Sequence, residues 1–357
     1  MKIAALVSGG VDSTVALQLA REQGHNIQAF YLKVWMEDDT TFGDCAWQED
    51  LEYVHKVCDQ LDVKVNVLSM QREYWDRVVN YTLKMVNSGL TPNPDVMCNK
   101  LVKFGAFYDK AGYQFDRIMT GHWAKSVQDS NGYTHLMLAK DRFKDQTYFL
   151  SQMSYEQSSR TYFPLSELTK ADVRKIAAAQ KFANAQRKDS QGICFLGKIN
   201  YRQFLNKYLG EKRGLVINHD NGETLGEHAG YWFYTIGQRQ GLGLSGGPWF
   251  VVEKNAEENI IYVTRGYDPE LVYRSLFTID SLNWIFLPED IQSKLANGES
   301  VDIQFKIRHT PELSFGSMRY VDEQLEISSA TKLHGVAPGQ FAAIYLNDEC
   351  LGSGVIV

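Results

Sequence analysis

The chain has 357 residues, of which 44% are hydrophobic and 22% are charged. This composition is typical of a folded globular protein and excludes a disordered or fibrous chain, and the length predicts roughly two or three domains. No segment approaches about 18 uninterrupted apolar residues and the first residues lack a leader pattern, so we expect a cytoplasmic protein that avoids membranes. The net charge of −6 argues mildly against nucleic-acid binding, although a local basic face can still provide it.

The first motif is a strand, a turn and a helix at the start of the chain. Lys2 to Val7 is an apolar run of strand length, Ser8 to Ser13 is rich in Ser and Gly, and Thr14 to Ala20 has helical periodicity. Backbone N–H groups converge in such a turn and the helix N-terminus adds positive charge, so the turn can hold phosphates. Asp12 and Ser13 also stand where a helix N-cap is expected. No Gly-Lys-Ser/Thr follows, so this is not a Walker sequence, and a generic Gly-rich turn is the alternative.

Strands and helices alternate through the first half of the chain. Strand-like runs at 26–35 and 63–68 alternate with helix-like spacing at 47–61 and 72–86. This order predicts a doubly wound α/β domain with a parallel sheet, in which ligands bind beyond the carboxyl ends of the strands. The turn at Ser8 to Ser13 would lie at that edge. A further strand that starts at Asp116 ends there too, in a turn with His122, which is either functional or an ordinary turn residue.

The five cysteines, an odd number, do not indicate the disulfide framework of a secreted protein. Cys98 follows two prolines at the predicted first turn of a helix, where amide dipoles favour a thiolate. Cys194 lies in a Gly-containing turn with basic neighbours, which also favours a thiolate. For Cys98 a small buried core residue is the equal alternative. Cys58 lies on an apolar helical stripe and is predicted to be core, whereas Cys45 and Cys350 are assigned no role.

After residue 198 the alternation ends, and short strands with turns take over. A basic amphipathic helix is predicted at 200–213, and Asn221-Gly222 indicates a hairpin. From residue 276 onward alternating strands indicate a closed barrel or a small sandwich. We therefore predict a doubly wound parallel α/β domain over residues 1–198, a small β-rich domain over 199–270 and a β-barrel over 271–357.

Four sequence blocks occur in a characteristic order and spacing. They are S-G-G-V-D-S from Ser8, N-P-D-V-M-C-N-K-L-V-K-F from Asn93, T-G-H-W-A-K from Thr120 with K-D-Q-T-Y-F-L from Lys144, and D-S-Q-G-I-C-F from Asp189. Together they resemble the bacterial tRNA-specific 2-thiouridylases, which are N-type ATP pyrophosphatases of the PP-loop superfamily. The resemblance covers essentially the whole chain, and its specific part is the spacing of Cys98 and Cys194. Val7 stands where the family has Met, and Trp123 stands where the family has Tyr.

The resemblance implies a fold like that of the adenine nucleotide alpha hydrolases and the ATP-dependent replacement of the 2-oxygen of the wobble uridine by sulfur. The oxygen would be adenylated and leave with AMP, and sulfur would arrive as a persulfide on Cys194. Cys98 would be the nucleophile, which attacks C2 directly or releases sulfide by forming a transient disulfide with Cys194. Asp95 would be a general base or would orient the target base, and an N-cap role for the helix of Cys98 is its alternative.

The resemblance also implies binding residues and partners. ATP with Mg²⁺ would be held by Leu6, Val7, Ser8, Gly9, Gly10, Val11, Asp12 and Ser13, with adenine and ribose at Leu32 and Gly121. The tRNA contacts would be Asn93, Pro94, Asp95, His122, Lys144, Asp145, Gln146, Arg308, His309 and Gln340. From clustering we expect a basic face that includes Lys100, Lys103, Lys188, Arg202 and Lys212. The other partner would be a sulfur donor protein, either a cysteine desulfurase or a sulfur relay, and we expect a monomer.

Several alternatives stay open from the sequence. Asp95, Cys98 and Cys194 could instead be three ligands of an iron–sulfur cluster, which is an unusual set and is not favoured. The chain could also be another ATP pyrophosphatase, such as an amide- or argininosuccinate-forming synthetase, or a non-catalytic tRNA-binding protein. A sulfur modifier of another tRNA position usually carries a Cys-X-X-Cys element, and the sequence contains none.

Overall fold

The computed structural model describes residues 1–34, 46–188, 201–266 and 273–357. Cys45 and Cys194 lie outside these ranges, so the predictions made for Cys194 have no structural counterpart here. In the described part of the chain, no helix is both long enough and apolar enough to cross a membrane.

The N-terminal domain is built on a parallel sheet with strand order β3-β2-β1-β4-β7, as the alternating pattern predicts. Both β2 and β4 pair with β1, so the strand order changes direction beside β1, which is where open α/β sheets bind ligands. The strands of this domain are β1 (Lys2–Leu6), β2 (Asn26–Lys33), β3 (Val65–Ser69), β4 (Arg117–Met119), β5 (Lys125–Gln128), β6 (Thr134–Met137) and β7 (Thr161–Tyr162).

The helices cover both faces of this sheet, and their apolar sides form the core. Segments of π-helix at Trp75–Val79 and Asn99–Ala106 join α3 to α4 and α5 to α6. Thr169 caps α9 by accepting a hydrogen bond from the Asp172 backbone N–H. The helices are α1 (Val11–Glu22), α2 (Ala46–Gln60), α3 (Gln71–Tyr74), α4 (Asn80–Asn87), α5 (Pro94–Cys98), α6 (Phe107–Lys110), α7 (Thr147–Leu150), α8 (Tyr155–Ser159) and α9 (Lys170–Ala179).

Two smaller β-rich units follow, and the second is a closed barrel. In the central unit the sheet order is β10-β11-β8-β9, and Gly222 sits at positive φ in the predicted β8–β9 hairpin. In the last unit the order β12-β15-β14-β13-β16-β17 closes through pairing of β17 with β12, so six of its described strands form a barrel. The elements are α10 (Tyr201–Leu209), β8 (Gly214–Asn218), β9 (Thr224–His228), β10 (Trp249–Asn255), β11 (Ile260–Arg265), β12 (Tyr273–Trp284), α11 (Glu289–Ala296), β13 (Val301–Lys306), β14 (Ser314–Val321), β15 (Gln324–His334), β16 (Phe341–Leu346) and β17 (Glu349–Ile356).

The barrel is joined to the N-terminal domain by backbone pairing as well as by side chains. The β5–β6 hairpin of the first domain pairs with β17, with Met137 opposite Glu349. Beside it, the buried Ser151 hydroxyl donates to Ser353 Oγ at 2.9 Å. The barrel is therefore held at a fixed position against the N-terminal domain.

A histidine lies inside this junction between two carboxylates. His135 Nδ1 is 2.7 Å from Glu349 Oε1 and its Nε2 is 3.5 Å from Asp129 Oδ2, with the Phe286 ring against the imidazole. Burial lowers the pKa of His135, but hydrogen bonds and negative charge from Glu349 and then Asp129 outweigh it. The net pKa is raised above the ordinary value of 6.5.

We predict that this junction loosens as the pH rises above the ordinary histidine pKa of 6.5. A raised pKa contributes stability that is fully present below 6.5 and is lost as the pH rises through the folded-state value. Amide hydrogen exchange in β6, corrected for its intrinsic pH dependence, should become faster on the order of a few-fold. His135→Gln should remove this pH dependence, and an identical profile in both proteins would contradict the assignment.

Candidate active site

The turn between β1 and α1 has the geometry of a phosphate cradle. Gly9 adopts φ +76°, and a Cβ there would lie 2.6 Å from the Asp50 carbonyl oxygen, so a side chain is excluded. The helix starts at Val11 with Gly10 as its N-cap, so the expectation that Asp12 or Ser13 caps it was wrong. Ser13 instead closes the turn from inside, because its Oγ donates to the Gly10 carbonyl at 3.0 Å and accepts from the Ser8 N–H at 3.2 Å.

Two side chains that the sequence analysis missed hold the Gly9 peptide. The Gly9 carbonyl accepts hydrogen bonds from Asn184 Nδ2 at 2.9 Å and from Arg187 Nη1 at 3.2 Å. Asn184 also donates to Thr14 Oγ1 at 2.8 Å, and Arg187 forms an ion pair with Asp50. With this carbonyl engaged by donors of the protein, the turn can present N–H groups to an anion. No local sequence signal marks Asn184, since it lies 175 residues from Gly9.

Asp12 is engaged by two partners that lie far away in the sequence. Lys170 Nζ donates to Asp12 Oδ1 at 2.6 Å, and the Trp123 indole N–H donates to Oδ2 at 3.3 Å. Lys170 is the first residue of α9 and Trp123 follows β4, so these contacts connect three elements at the carboxyl edge of the sheet. The carboxylate therefore orders the surroundings of the turn.

Gly121 brings β4 into direct contact with α1. A Cβ at this position would lie 2.6 Å from the Ser13 backbone nitrogen and 2.8 Å from its Cα. Its φ is not positive, so glycine is needed here for space alone. The wall formed by β4 therefore stands directly beside the first turn of the helix.

These elements enclose a cavity of about 420 Å³, a size that accommodates a small-molecule ligand. The charged side chains in its wall are three lysines, Lys103, Lys144 and Lys188, and two aspartates, Asp12 and Asp50. Positive charge therefore predominates in the wall, although the chain as a whole is acidic. Gly9 and Asp95 are not part of the wall. The predicted residues that line it are Leu6, Val7, Ser8, Gly10, Val11, Asp12, Ser13, Leu32, Cys98, Gly121, His122, Lys144 and Gln146.

Cys98 lines this cavity. The prediction that it lies in the first turn of its helix was wrong. The helix begins at Pro94, and its N-cap is Asn93, whose side chain accepts from the Val96 N–H at 3.3 Å. Cys98 is thus in the second turn, beyond the free N–H groups, and the N-cap alternative for Asp95 was wrong. The cysteine is 3% exposed.

The other described cysteines are core residues. Cys58 is buried as predicted, and burial followed by the charge of Asp59 raises the pKa of its thiol to about 12. Cys350 is also buried, and desolvation followed by the charge of Asp145 raises the pKa of its thiol. Of the three cysteines in the described ranges, Cys98 is the one in the cavity wall.

His122 is a neutral hydrogen-bonding group in the wall. Its Nδ1 lies 2.8 Å from Thr120 Oγ1. Desolvation, with a smaller effect from the nearby positive charge of Lys103, lowers the pKa of His122 well below 6.5. At neutral pH the ring can therefore donate or accept a hydrogen bond but adds no positive charge.

The predicted tRNA contacts lie in three places: some line the cavity, some lie in the interface between the N-terminal domain and the barrel, and two are exposed on the barrel. Gln340 lies on the barrel and bonds to the first domain, since its Nε2 donates to the Pro92 carbonyl at 3.0 Å and its Oε1 lies 3.3 Å from Asn93 Nδ2. Asp145 is 1% exposed, so its carboxylate lies in the domain interface and away from the surface, and its expected tRNA contact stays a prediction. Arg308 and His309 are exposed on the barrel.

One lysine of the expected basic face, Lys100, lies in the contact between the two domains. Lys100 Nζ donates to Gln152 Oε1 at 2.9 Å and to Asn283 Oδ1 at 3.3 Å, in the contact with the barrel. Burial lowers the pKa of this lysine. Lys100 therefore contributes to the interface, whereas Lys103 and Lys188 line the cavity.

Asp12 and Asp50 are the two carboxylates in the wall, and each already pairs with a cation of the protein, Asp12 with Lys170 and Asp50 with Arg187. A magnesium ion carried by ATP usually retains several waters and binds through phosphates with one or two carboxylates, so these two would be its candidate ligands. Within the described ranges no three His, Cys, Asp or Glu residues form a metal-binding group. The iron–sulfur alternative requires Cys194, which lies outside those ranges.

Three domain families match the chain in succession. These are the tRNA methyl transferase HUP domain over residues 1–198, the tRNA methyl transferase PRC-barrel domain over 202–265 and the aminomethyltransferase beta-barrel domain over 274–356. A tRNA-specific 2-thiouridylase MnmA from Parabacteroides distasonis is 48% identical over 359 residues, covering 100% of this chain and 99% of the relative. The chain belongs to the tRNA-specific 2-thiouridylase family.

Further relatives agree with this assignment. A tRNA-specific 2-thiouridylase MnmA from Porphyromonas gingivalis is 48% identical over 360 residues, covering 100% of this chain and 99% of the relative. Among solved structures, a U34-tRNA thiolase from Methanococcus maripaludis is 14% identical, with 58% of this chain and 66% of that chain covered and a TM-score of 0.33. That structural overlap is too small to support a conclusion about the thiouridylase fold.

We predict that Gly121→Ala weakens ATP binding by about tenfold or more, because the new methyl group must displace the first turn of α1. Binding can be measured by isothermal titration calorimetry on the folded variant. The matched control is Gly226→Ala, where the nearest atom is the end of the Leu244 side chain at 3.4 Å. Unchanged ATP affinity in both variants would show that this contact does not shape the site.

Proposed function

We propose that the protein catalyses ATP-dependent 2-thiolation of the wobble uridine of tRNA, giving 2-thiouridine, AMP and pyrophosphate. Membership of the 2-thiouridylase family supports the reaction class. The observation that carries the proposal is that Cys98 and the Ser8–Ser13 turn line one cavity. This arrangement supports a role for Cys98 as a nucleophile that acts beside a phosphate-binding turn.

The first step activates the uracil carbonyl. The C2 oxygen attacks the α-phosphorus of ATP, a P–O bond to pyrophosphate breaks, and the oxygen is converted into the leaving group AMP. The Ser8–Ser13 turn and the cationic wall residues Lys103, Lys144 and Lys188 stabilise the phosphate charge. Magnesium supplies further neutralisation when it is bound to the phosphates.

The second step transfers sulfur. A sulfur donor protein loads Cys194 with a persulfide, and the Cys98 thiolate attacks the inner sulfur to form a Cys98–Cys194 disulfide and hydrosulfide. The hydrosulfide attacks C2, and AMP leaves with the oxygen. Alternatively, the terminal sulfur of the persulfide attacks C2 and displaces AMP. The Cys98 thiolate then attacks the Cys194 sulfur, which releases 2-thiouridine and gives the same Cys98–Cys194 disulfide. An external thiol must then reduce the disulfide before another turnover.

Access to Cys98 defines the substrate geometry. A sulfur atom on a residue that is 3% exposed can meet a uracil only if the base leaves the anticodon stack and enters the cavity. Asn93, Pro94 and Asp95 lie just before Cys98 and outside the cavity wall, and they are proposed to hold the uracil as it enters, with Asp95 as general base or orienting group. His122, Lys144 and Gln146, which line the cavity, are proposed to contact the nucleotides around it. Arg308 and His309 are proposed to bind the tRNA from the barrel, with the chain acting as a cytoplasmic monomer.

We predict that Cys98→Ser abolishes thiolation, by at least about a thousandfold, while ATP binding persists. The assay contains unmodified tRNA, ATP, Mg²⁺ and a cysteine desulfurase, with wild type, Cys98→Ser and Cys194→Ser prepared anaerobically and in air. Thiolated nucleoside, AMP and protein-bound iron are quantified. Cys58→Ala, a change in the core away from the cavity, serves as the matched control once its folding is verified.

The outcomes separate the alternatives. Thiolation by iron-free wild type, with both variants inactive and the persulfide on Cys194, is the expected result. Activity that requires stoichiometric iron would favour a cluster on Asp95, Cys98 and Cys194. AMP formation on another acceptor without thiolation would favour a different ATP pyrophosphatase, and binding of tRNA without any AMP would favour a non-catalytic protein.

A further inference from the structure

A completely buried ion pair joins the barrel to the N-terminal domain. Lys306 Nζ, at the end of β13, lies 3.5 Å from Asp145 Oδ1, and the two side chains are 1% and 0% exposed. Burial lowers the pKa of Lys306, and the charge of Asp145 opposes this only in part. Buried ion pairs usually add little net stability, because desolvation offsets their attraction. The pair is therefore better explained by its fixing of the loop's position against the barrel than by a contribution to the free energy of unfolding.

The Asp145 carboxylate fixes both ends of the loop in which it lies. Its Oδ2 accepts a hydrogen bond from the Ala139 N–H at 2.9 Å, and its Oδ1 accepts from Thr147 Oγ1 at 2.6 Å. The barrel adds two contacts of its own: His309 Nε2 donates to the Asp145 carbonyl at 2.8 Å, and the Tyr345 hydroxyl lies 3.1 Å from Thr147 Oγ1. The loop over residues 139–147 is thus held jointly by both domains.

The same loop continues to the ATP-binding turn. Gln146, next to Asp145, donates its N–H to the Trp123 carbonyl at 2.7 Å and accepts from the Trp123 N–H at 3.1 Å through Oε1. The indole of Trp123 in turn donates to Asp12. Lys144, on the other side of Asp145, lines the cavity with Gln146. An unbroken series of contacts therefore runs from a barrel lysine to the phosphate cradle.

We propose that Lys306 is a positioning residue: paired with Asp145, it holds Lys144 and Gln146 in the cavity and makes the barrel part of the ATP site. The inference rests on the proposed function for the role of the cavity, but its geometry concerns the chain itself. Lys306 contacts no substrate and acts through Asp145, whose partners span the loop. The barrel thereby completes a site whose phosphate-binding turn belongs to another domain.

The test compares two lysine variants with a matched ion pair in the same interface. Lys306→Met removes the charge and keeps the length, whereas Lys306→Arg keeps the charge. Arg142→Gln is the control, because Arg142 lies in the same loop and pairs with Asp348 of the barrel at 2.5 Å, but both side chains are about half exposed. The double variant Lys306→Met/Asp145→Asn removes both buried charges and guards against simple unfolding.

Two readouts do not depend on tRNA thiolation. We expect Lys306→Met to raise the ATP Kd about tenfold and to accelerate amide exchange at Ala139 and Gln146, with thiolation kcat/KM falling in parallel. Lys306→Arg should recover most of the ATP affinity, and Arg142→Gln should stay within about twofold of wild type. The double variant should regain thermal stability without regaining ATP affinity.

Some outcomes overturn the inference and others only the proposed function. Wild-type ATP affinity and loop exchange in Lys306→Met, or full ATP affinity in the double variant, would show that the pair is merely structural. Changed ATP binding in Lys306→Met, in a chain whose wild type does not thiolate tRNA, would support the positioning role and refute the proposed function.

Discussion

The close contact of Gly121 with the first turn of α1 is the constraint on which the nucleotide cavity depends. In a parallel sheet the carboxyl ends of neighbouring strands meet at one edge, and here β1 and β4 are neighbours. A side chain at Gly121 would push the first turn of α1 away from the end of β4, because its Cβ would lie 2.6 Å from the Ser13 nitrogen. Without that contact the wall with His122 and Trp123 could not stand beside the phosphate-binding turn.

Charge is arranged around this edge in pairs. Lys170 pairs with Asp12, Arg187 with Asp50 and Lys306 with Asp145, so each of these carboxylates has a cationic partner. Three lysines, Lys103, Lys144 and Lys188, line the cavity in a chain whose overall charge is −6. Positive charge is therefore concentrated at the cavity, and the net negative charge of the chain does not reveal this local concentration.

The barrel contributes to the site as well as following it in sequence. It pairs with the β5–β6 hairpin through backbone hydrogen bonds, and its Gln340 holds the segment that leads into α5 and Cys98. Its Lys306 reaches the loop of Lys144 and Gln146. The barrel and the cavity of the N-terminal domain therefore share supporting residues.

The sequence by itself determined the local features: the strand–turn–helix of the first 20 residues, the parallel α/β order, the β-barrel and the choice of Cys98 as a candidate nucleophile. These depend on periodicity, glycine content and short motifs, all of which act within a few residues. The start of the helix that carries Cys98 was misplaced by about one turn, because two prolines and Asn93 offered adjacent start signals. Only the tertiary structure decided that Asn184 holds the Gly9 peptide, that Lys170 pairs with Asp12 and that Lys306 pairs with the buried Asp145. Their contacts join residues more than 150 positions apart, and no local pattern encodes which of many polar side chains will meet when separate elements pack.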